Sequence, residues 1–497
     1  MQRLTLLIVA LTLGLAAWTS EPAQAAQSGS YFISSTMRLP AGMKPLSSFD
    51  IGWVDPTTDT YVFTDKTNGT IDVFDALKNQ YLFSVPGFVG SPAGAGLPGM
   101  GPNGIVIVPD GHGGRGIAWA GDGDGSVKVA DLNTGKIIGS VSTGAKFRAD
   151  EVAYDPIHHL VLFGYDADSP VYLAFISTIA PYPVLGTILY DGQSGPGHAP
   201  KATDGIEQPI YDPVTGHFFQ AVPATVTNPG GEIDEIDPVT MQVIASIVTT
   251  CRPTGLMLGP NHQALANCGG NIAIDLGTHK IIATIPQGGG DEGWYNPSDH
   301  HYYTASLGGG GTLHIIDADT NSWIGDVMTG GGAHSVAADL HNNEIFVPLG
   351  IARDDPSRTD NGILVITQRT SSGATKPAVT FDVVANGGEE SPPVVFDGTV
   401  KAHFSFDSTS QELSWSLEVS GFPADQITAA TISKGARGET GSVVYTLSTA
   451  GLPTRSGKVT LNSRNVVDLQ AGNLFLNLTS KDIKGGFARA QLTLPNP

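Results

Sequence analysis

Residues 49–367 restate one short unit, and a repeat built of strands leaves a chain few folds to choose from. Gly125-Ser-Val-Lys-Val-Ala-Asp-Leu-Asn-Thr-Gly-Lys-Ile-Ile-Gly-Ser-Val aligns with Gly311-Thr-Leu-His-Ile-Ile-Asp-Ala-Asp-Thr-Asn-Ser-Trp-Ile-Gly-Asp-Val, and both align with Gly231-Glu-Ile-Asp-Glu-Ile-Asp-Pro-Val-Thr-Met-Gln-Val-Ile-Ala-Ser-Ile. Each reads as an alternating strand, an Asp-centred turn and a second strand. A unit of roughly 40–50 residues made this way cannot bury its own apolar face and must stack on its neighbours, as propeller blades do. Seven opening strands begin near Phe49, Asn103, Ala149, Gly205, Pro253, Asp291 and Ala333. Most end in similar turn chemistry: Asp55-Pro56, Asp155-Pro156, Asp212-Pro213, Gly259-Pro260 and Asn296-Pro297. Proline suits such a turn because its φ is already fixed.

The two ends of the array fit each other. The last unit stops at its third strand, Gly362-Ile-Leu-Val-Ile-Thr367, while Tyr31-Phe-Ile-Ser-Ser-Thr-Met-Arg-Leu39 precedes the first complete unit and resembles a fourth strand. The expectation is that 31–39 completes the last blade and removes an exposed sheet edge. Residues 368–378 are small and polar and read as a linker. Beyond them Val400-Lys-Ala-His-Phe-Ser-Phe, Glu412-Leu-Ser-Trp-Ser-Leu-Glu-Val and Asn473-Leu-Phe-Leu-Asn-Leu alternate with period two, so 379–497 is expected to be an antiparallel sandwich. The fold class is therefore all-β: a seven-bladed β-propeller over 31–367 followed by a small antiparallel β-sandwich.

Composition supports this and excludes some functions. Glycine at 63 and proline at 33, beside 40% hydrophobic residues, fit many tight turns around real cores rather than disorder. A net charge of −21 argues against nucleic acid or an anionic membrane as partner. Arg3, the apolar run 4–18 and Ala23-Gln24-Ala25 read as a signal peptide over 1–25, which predicts export to the periplasm or cell exterior with no membrane span in the mature chain. Cys251 and Cys268, the two cysteines, flank a predicted hairpin whose ends would meet, so a structural disulfide is expected.

Counting five residues back from the turn that ends each opening strand gives Asp50, Asn103, Asp150, Glu207, Thr254, Asp291 and His334, all polar, with Val152, Tyr154, Ile210, Leu256, Trp294 and Val336 following. This predicts a polar channel mouth above a packed interior. Glu151, Glu292 and Arg252 stand beside the ring as residues that could pair with it. Four acids in one small channel must repel one another, raise their pKa values or recruit a cation. Asp150, Glu207, Asp291 and His334 are the metal-ligand candidates, suited to Ca²⁺, Mg²⁺ or Mn²⁺, with Zn²⁺ or Fe²⁺ as further choices. The alternative is that the ring merely solvates the mouth and bonds the blade edges. Among other histidines, His112 sits in a Gly-rich loop, and His158-His159 and His300-His301 read as surface residues at second turns. His198 lies in the insertion 192–203, which could cover the channel as a lid. Gly121-Asp-Gly-Asp-Gly-Ser126 lacks the full calcium-loop spacing and reads as a plain turn. The chain has no Gly-x-Ser-x-Gly elbow, His-Glu-x-x-His, Walker loop or dinucleotide fingerprint.

Two resemblances follow from these residues. The repeat, seen best at Asp59-Thr-Tyr-Val-Phe-Thr through Asp75, at 127–141 and at 313–327, resembles the YVTN or YncE-like propeller repeats, which implies the fold and leaves function open. The tail resembles a CHRD domain through Val400-Lys-Ala-His-Phe-Ser-Phe, Leu413-Ser-Trp-Ser-Leu-Glu-Val-Ser-Gly-Phe, Gly441-Ser-Val-Val-Tyr-Thr-Leu, Leu474-Phe-Leu-Asn-Leu and Gly485-Gly-Phe-Ala-Arg-Ala-Gln-Leu. Where many CHRD members carry His-x-His and a later His, this chain has Thr431-Ile-Ser433 and Asn477-Leu-Thr479, so a structural or adhesive module is implied. The expected function is binding or scaffolding of a protein, glycan or small molecule outside the cytoplasm. The alternative is a metal-dependent hydrolase or lyase at the channel mouth, as lactonase-type propellers would imply, with the ring cation polarising a carbonyl or activating water.

Overall fold

The computed structural model describes residues 31–94, 96–306, 311–350, 362–368, 378–407, 412–461, 465, 468–469 and 472–494. The expected signal peptide and most of the expected linker lie outside the described residues. Among the described residues nine four-stranded antiparallel sheets form, seven from residues 31–368 and two from the tail.

Six of the seven take their strands in chain order, from Gly52–Asp55, Ile105–Val108, Val152–Asp155, Pro209–Asp212, Leu256–Leu258 and Gly293–Asn296 outward. The seventh runs from Ala337–Ala338 through Ile345–Leu349 and Gly362–Gln368, and its outer strand is Tyr31–Met37 from the start of the array. The pairing is antiparallel, Tyr31 opposite Gln368 and Met37 opposite Ile363. Each innermost strand lies against the innermost strand of the next sheet, and Ala337–Ala338 lies against Gly52–Asp55, so the sheets stand in a closed ring. The seam between last and first blades has polar stitching too: Asn79 Nδ2 donates to Glu344 Oε2 at 2.7 Å, and Asn342 Nδ2 donates to the Ala76 carbonyl at 3.3 Å.

Burial follows position in the blade. Middle strands such as Thr60–Asp65 and Leu160–Tyr165 are buried on both faces, because neighbouring blades cover each side. Outer strands such as Lys136–Ser142 alternate between exposed and covered residues. The connecting turns share one device. Asp55, Asp155 and Asp212 each accept at a carboxylate oxygen from the backbone N–H two residues on. The fifth residue of these turns, and of the one that opens at Asn296, takes a left-handed φ: 50° at Asp59, 55° at His159, 77° at Gly216 and 59° at His300. The His158-His159 and His300-His301 pairs thus have a turn-geometry origin. His158 bonds Asp155 and is exposed. His301 departs from the surface expectation, because its ring meets the hydroxyl of Tyr31 on the closing strand at 2.7 Å.

Cys251 and Cys268 form a disulfide with Cα atoms 5.3 Å apart, closing the hairpin of Leu256–Leu258 and Gln263–Asn267. For a sequence separation of 17, loop closure is worth about 3 kcal/mol. Replacing both cysteines by serine should lower unfolding free energy by about that amount and leave the native fold unchanged. Denaturant titration with and without reductant reads this directly, and a wild-type midpoint insensitive to reductant would refute it.

In the tail, Val379–Ala385, Thr399–Asp407, Glu412–Ser420 and Ser456–Thr460 form one sheet, and Ser442–Ser448, Ile427–Lys434, Leu474–Ser480 and Ala488–Leu492 the other. Their inner faces share one core that includes Phe404, Trp415, Ile432 and Leu476. Arg489 is buried on the other face of its strand from that core, with its guanidinium 3.6 Å from the Phe475 ring centre and its hydrogens donated to the Ala436 and Glu439 carbonyls. Thr431 and Asn477 face each other in register, with the Thr431 hydroxyl donating to the Asn477 carbonyl.

Candidate functional site at the propeller channel

Backbone hydrogen bonds fix the mouth positions. The N–H groups of Asp50, Asn103, Asp150, Glu207, Thr254 and Asp291 each donate to the end of the next strand, at Thr64, Gly121, Gly164, Ala221, Asn267 and Ala305. These six therefore occupy equivalent places in six blades. His334 belongs beside them: its ring stacks on Phe49 with 4.5 Å between centroids, and its Nε2 lies 3.7 Å from Asp50 Oδ1.

The ring is not a bare cluster of acids. Lys66 Nζ lies 2.6 Å from Asp50, and Arg148 Nη2 lies 2.5 Å from Asp150 and 2.9 Å from Asp166. Burial alone would raise the Asp50 carboxyl, but Lys66, His334 and Arg148 together hold it below the usual carboxylate range. His334 is shifted the other way: burial opposes its charge, yet the Asp50 and Asp291 carboxylates raise its pKa. Arg148 is shared between two carboxylates, so Asp150 does not have it whole. Burial, with the Asp166 and Asp50 charges, pushes Asp150 well above the ordinary range. Burial and the Asp291 and Asp150 charges do the same to Glu207, and burial raises Asp291. Glu207 and Asp291 are left, among the described residues, without an ion-pair partner.

Asn103 is buried, its amide donating to the Met100 carbonyl at 2.9 Å, and Thr254 donates to the Gly290 carbonyl at 2.9 Å. Arg252 stands apart: it is exposed and paired with Asp204, held at the rim by a left-handed φ of 57°. The insertion around His198 does not cap the channel either. His198 bonds Asp191, Ala199 donates to the Leu189 carbonyl, and the cavity there faces Val243 and Ser246 on an outer strand, because the insertion continues the outer edge of its blade. Asp122 is buried and paired with Lys128, and Asp124 caps Ser126, as a plain hairpin turn requires.

The donor chemistry at the mouth does not fit a single resident cation. Its two most tightly paired acids already face Lys66 and Arg148, and Asp150, Glu207, Asp291 and His334 are not gathered to single-ion distances. Among the described residues, one group of three has ligand atoms within 4.8 Å of one another: Asp59, Asp339 and His341, at the turn side of the seam.

A second ring lies one residue further along each inner strand, and sequence reading gave it no role of its own. Gln208 Oε1 accepts from the Leu256 N–H and Ser335 Oγ from the Gly52 N–H, each at 2.9 Å, so both stitch their blade to the next. Glu151 holds the same place, but the residue where its donor would stand is Pro209, which has no N–H. Its Oε2 is accordingly buried without a hydrogen-bond partner. Burial and the Glu292 charge push Glu151 well above the ordinary carboxylate range, and burial and the Asp291 charge do the same to Glu292. Below them Trp53 and Trp294 meet edge to face across the channel, 5.1 Å between centroids. Proline at 209 was the available signal for the orphaned carboxylate; it reads as such only once the register between blades is known.

Among the described residues no helix is long and apolar enough to cross a membrane. No curated protein matches the chain. The family comparison assigns the tail, and residues 381–492 are a CHRD domain.

Proposed function

We propose that the protein is an exported binding or scaffolding module whose YncE-like propeller takes a polar ligand at the channel mouth. The observation that carries this reading is the partly exposed ring in which Asp50 pairs with Lys66 and Asp150 shares Arg148 with Asp166, while Glu207 and Asp291 have carboxyl groups without an ion pair among the described residues. Such a surface recognises hydrogen-bond donors and positive groups on a small molecule or a partner's side chain. CHRD domains occur in secreted proteins, and the disulfide agrees with an oxidising compartment. The hydrolase alternative needs a cation among Asp150, Glu207, Asp291 and His334, and the pairing of the ring weighs against it.

Thermal-shift titration separates the two. Amino acids, short peptides and sugars form one arm; Ca²⁺, Mg²⁺, Mn²⁺ and Zn²⁺ form the other. A saturable rise in Tm with an organic ligand, lost in Glu207→Gln, is the expected result. A stoichiometric metal, lost in Glu207→Ala with His334→Ala and accompanied by turnover of a lactone or ester, would overturn it in favour of the hydrolase.

A further inference from the structure

The opposite end of the channel differs in chemistry from the mouth. It opens as a cavity of about 350 Å³ walled by Trp53, Tyr154, Ile210, Met257, Trp294 and Tyr295. Concave spaces of this size with aromatic walls are where small organic ligands bind. At its inner end lies a separate void of about 20 Å³, bounded by Glu151 and Glu292 and sharing the walls Trp53, Val152, Gln208, Gly293 and Trp294 with the larger cavity. That smaller volume holds one water-sized group. Glu151 and Glu292 are each 6% exposed, and Glu151 Oε2 has no partner. The charges acting on the pair belong to Asp50, Asp150, Glu207 and Asp291, all acidic. An unpaired buried carboxyl therefore lines a space sized for one small donor, with Trp53 and Trp294 walling it from the aromatic cavity.

We propose that this end of the channel binds a primary ammonium carrying an apolar or aromatic body, the body filling the aromatic vestibule and the ammonium seated in the void against Glu151 and Glu292. Three features favour that chemistry over a neutral guest. The orphaned Glu151 oxygen needs a donor, and an ammonium brings three. Trp53 and Trp294 line both the void and the larger cavity, and indole faces attract cations. The void admits an –NH₃⁺ group but is too small for a quaternary head. The site is distinct from the mouth, and its probe and variants do not involve Glu207, so its failure leaves the proposed function untouched and the reverse also holds.

The test compares 2-phenylethylammonium with 2-phenylethanol, of similar shape and uncharged, by isothermal titration calorimetry and tryptophan fluorescence on the full chain. The ammonium should bind at least about tenfold more tightly than the alcohol. The preference should fall to about onefold in Glu151→Gln with Glu292→Gln, and both ligands should be lost in Trp53→Ala. Equal affinities in the wild-type protein, or no binding of the ammonium, would overturn the proposal. The wild-type comparison decides the matter even if a variant fails to fold.

Discussion

Removing residues 26–38 is expected to open the ring and make the protein aggregate. These residues contain Tyr31–Met37, the outer strand of the seventh sheet, paired along its length with Gly362–Gln368. Without it that partner becomes a bare edge of unpaired N–H and C=O groups in an apolar strand, Gly-Ile-Leu-Val-Ile-Thr-Gln, the kind of template that recruits other chains. The loss extends into the packing. Met37 is buried in the cluster that includes Phe49, Val54 and Phe63 of the first blade, and Tyr31 packs on Tyr303 and bonds His301 of the sixth. Deleting one strand thus loosens contacts to two neighbouring blades. The readouts are soluble yield, sedimentation and Tm. A deleted chain that sediments as wild type does, with Tm within about 1 °C of it, would mean the strand contributes under about 1 kcal/mol and would refute the closure.

Much of this architecture stands in the sequence because propeller blades repeat their local chemistry. The Asp-Pro turns at Asp55, Asp155 and Asp212 recur because each needs a side-chain acceptor at its first residue, which the sequence displays; the left-handed fifth residue, Asp59, His159 or Gly216, shows only in the structure. Counting back from those turns finds the mouth positions for the same reason. What counting could not find are the counter-charges. Lys66 comes from a turn between the second and third strands of its blade, and Asp166 from the loop after a second strand, so neither shares a register with the ring. Arg148 stood two residues before Asp150, near enough to notice, but its direction depends on the backbone of that loop. Arg252 was misplaced for the same reason: a left-handed residue sends its side chain outward to Asp204. The insertion 192–203 carried no periodicity to say which way it folds, and its outward course follows from the two hydrogen bonds that extend an outer strand, Leu189 to Gly197 and Ala199 to Leu189.

Raising the pH from about 4 to 8 should destabilise the propeller, the reverse of the usual effect of ionising carboxylates. Asp234 sits inside Glu232–Asp237, accepting from Ser246 Oγ at 2.6 Å and Tyr190 Oη at 3.0 Å, and burial, with Glu232 nearby, pushes it up to about 7. Asp72 accepts from Thr70 at 2.8 Å and from Ser84 at 2.5 Å; its Oδ2 has no partner, and burial and Asp65 push it up to about 7 as well. A carboxyl whose pKa is higher folded than unfolded binds more protons in the folded state. Its stabilising contribution is complete below the unfolded value near 4 and is lost as pH rises through the folded value near 7. For Asp234 the loss is about 3–4 kcal/mol when complete. Asp50 has the opposite sign: held low by Lys66, it stabilises above the unfolded value and loses that contribution as pH falls below about 4. The two trends place the stability maximum in mildly acidic solution. Denaturant unfolding from pH 3 to 9 should show it, and Asp72→Asn with Asp234→Asn should flatten the alkaline limb, because the amides cannot ionise and the hydroxyls of Thr70, Ser84, Ser246 and Tyr190 can rotate to meet them. The double variant is then more stable than wild type at pH 8 and no more stable at pH 4. Parallel wild-type and variant profiles, or a wild-type maximum above pH 7, would show that these buried acids ionise at their ordinary values and that their hydrogen bonds outweigh the cost of burying the charge.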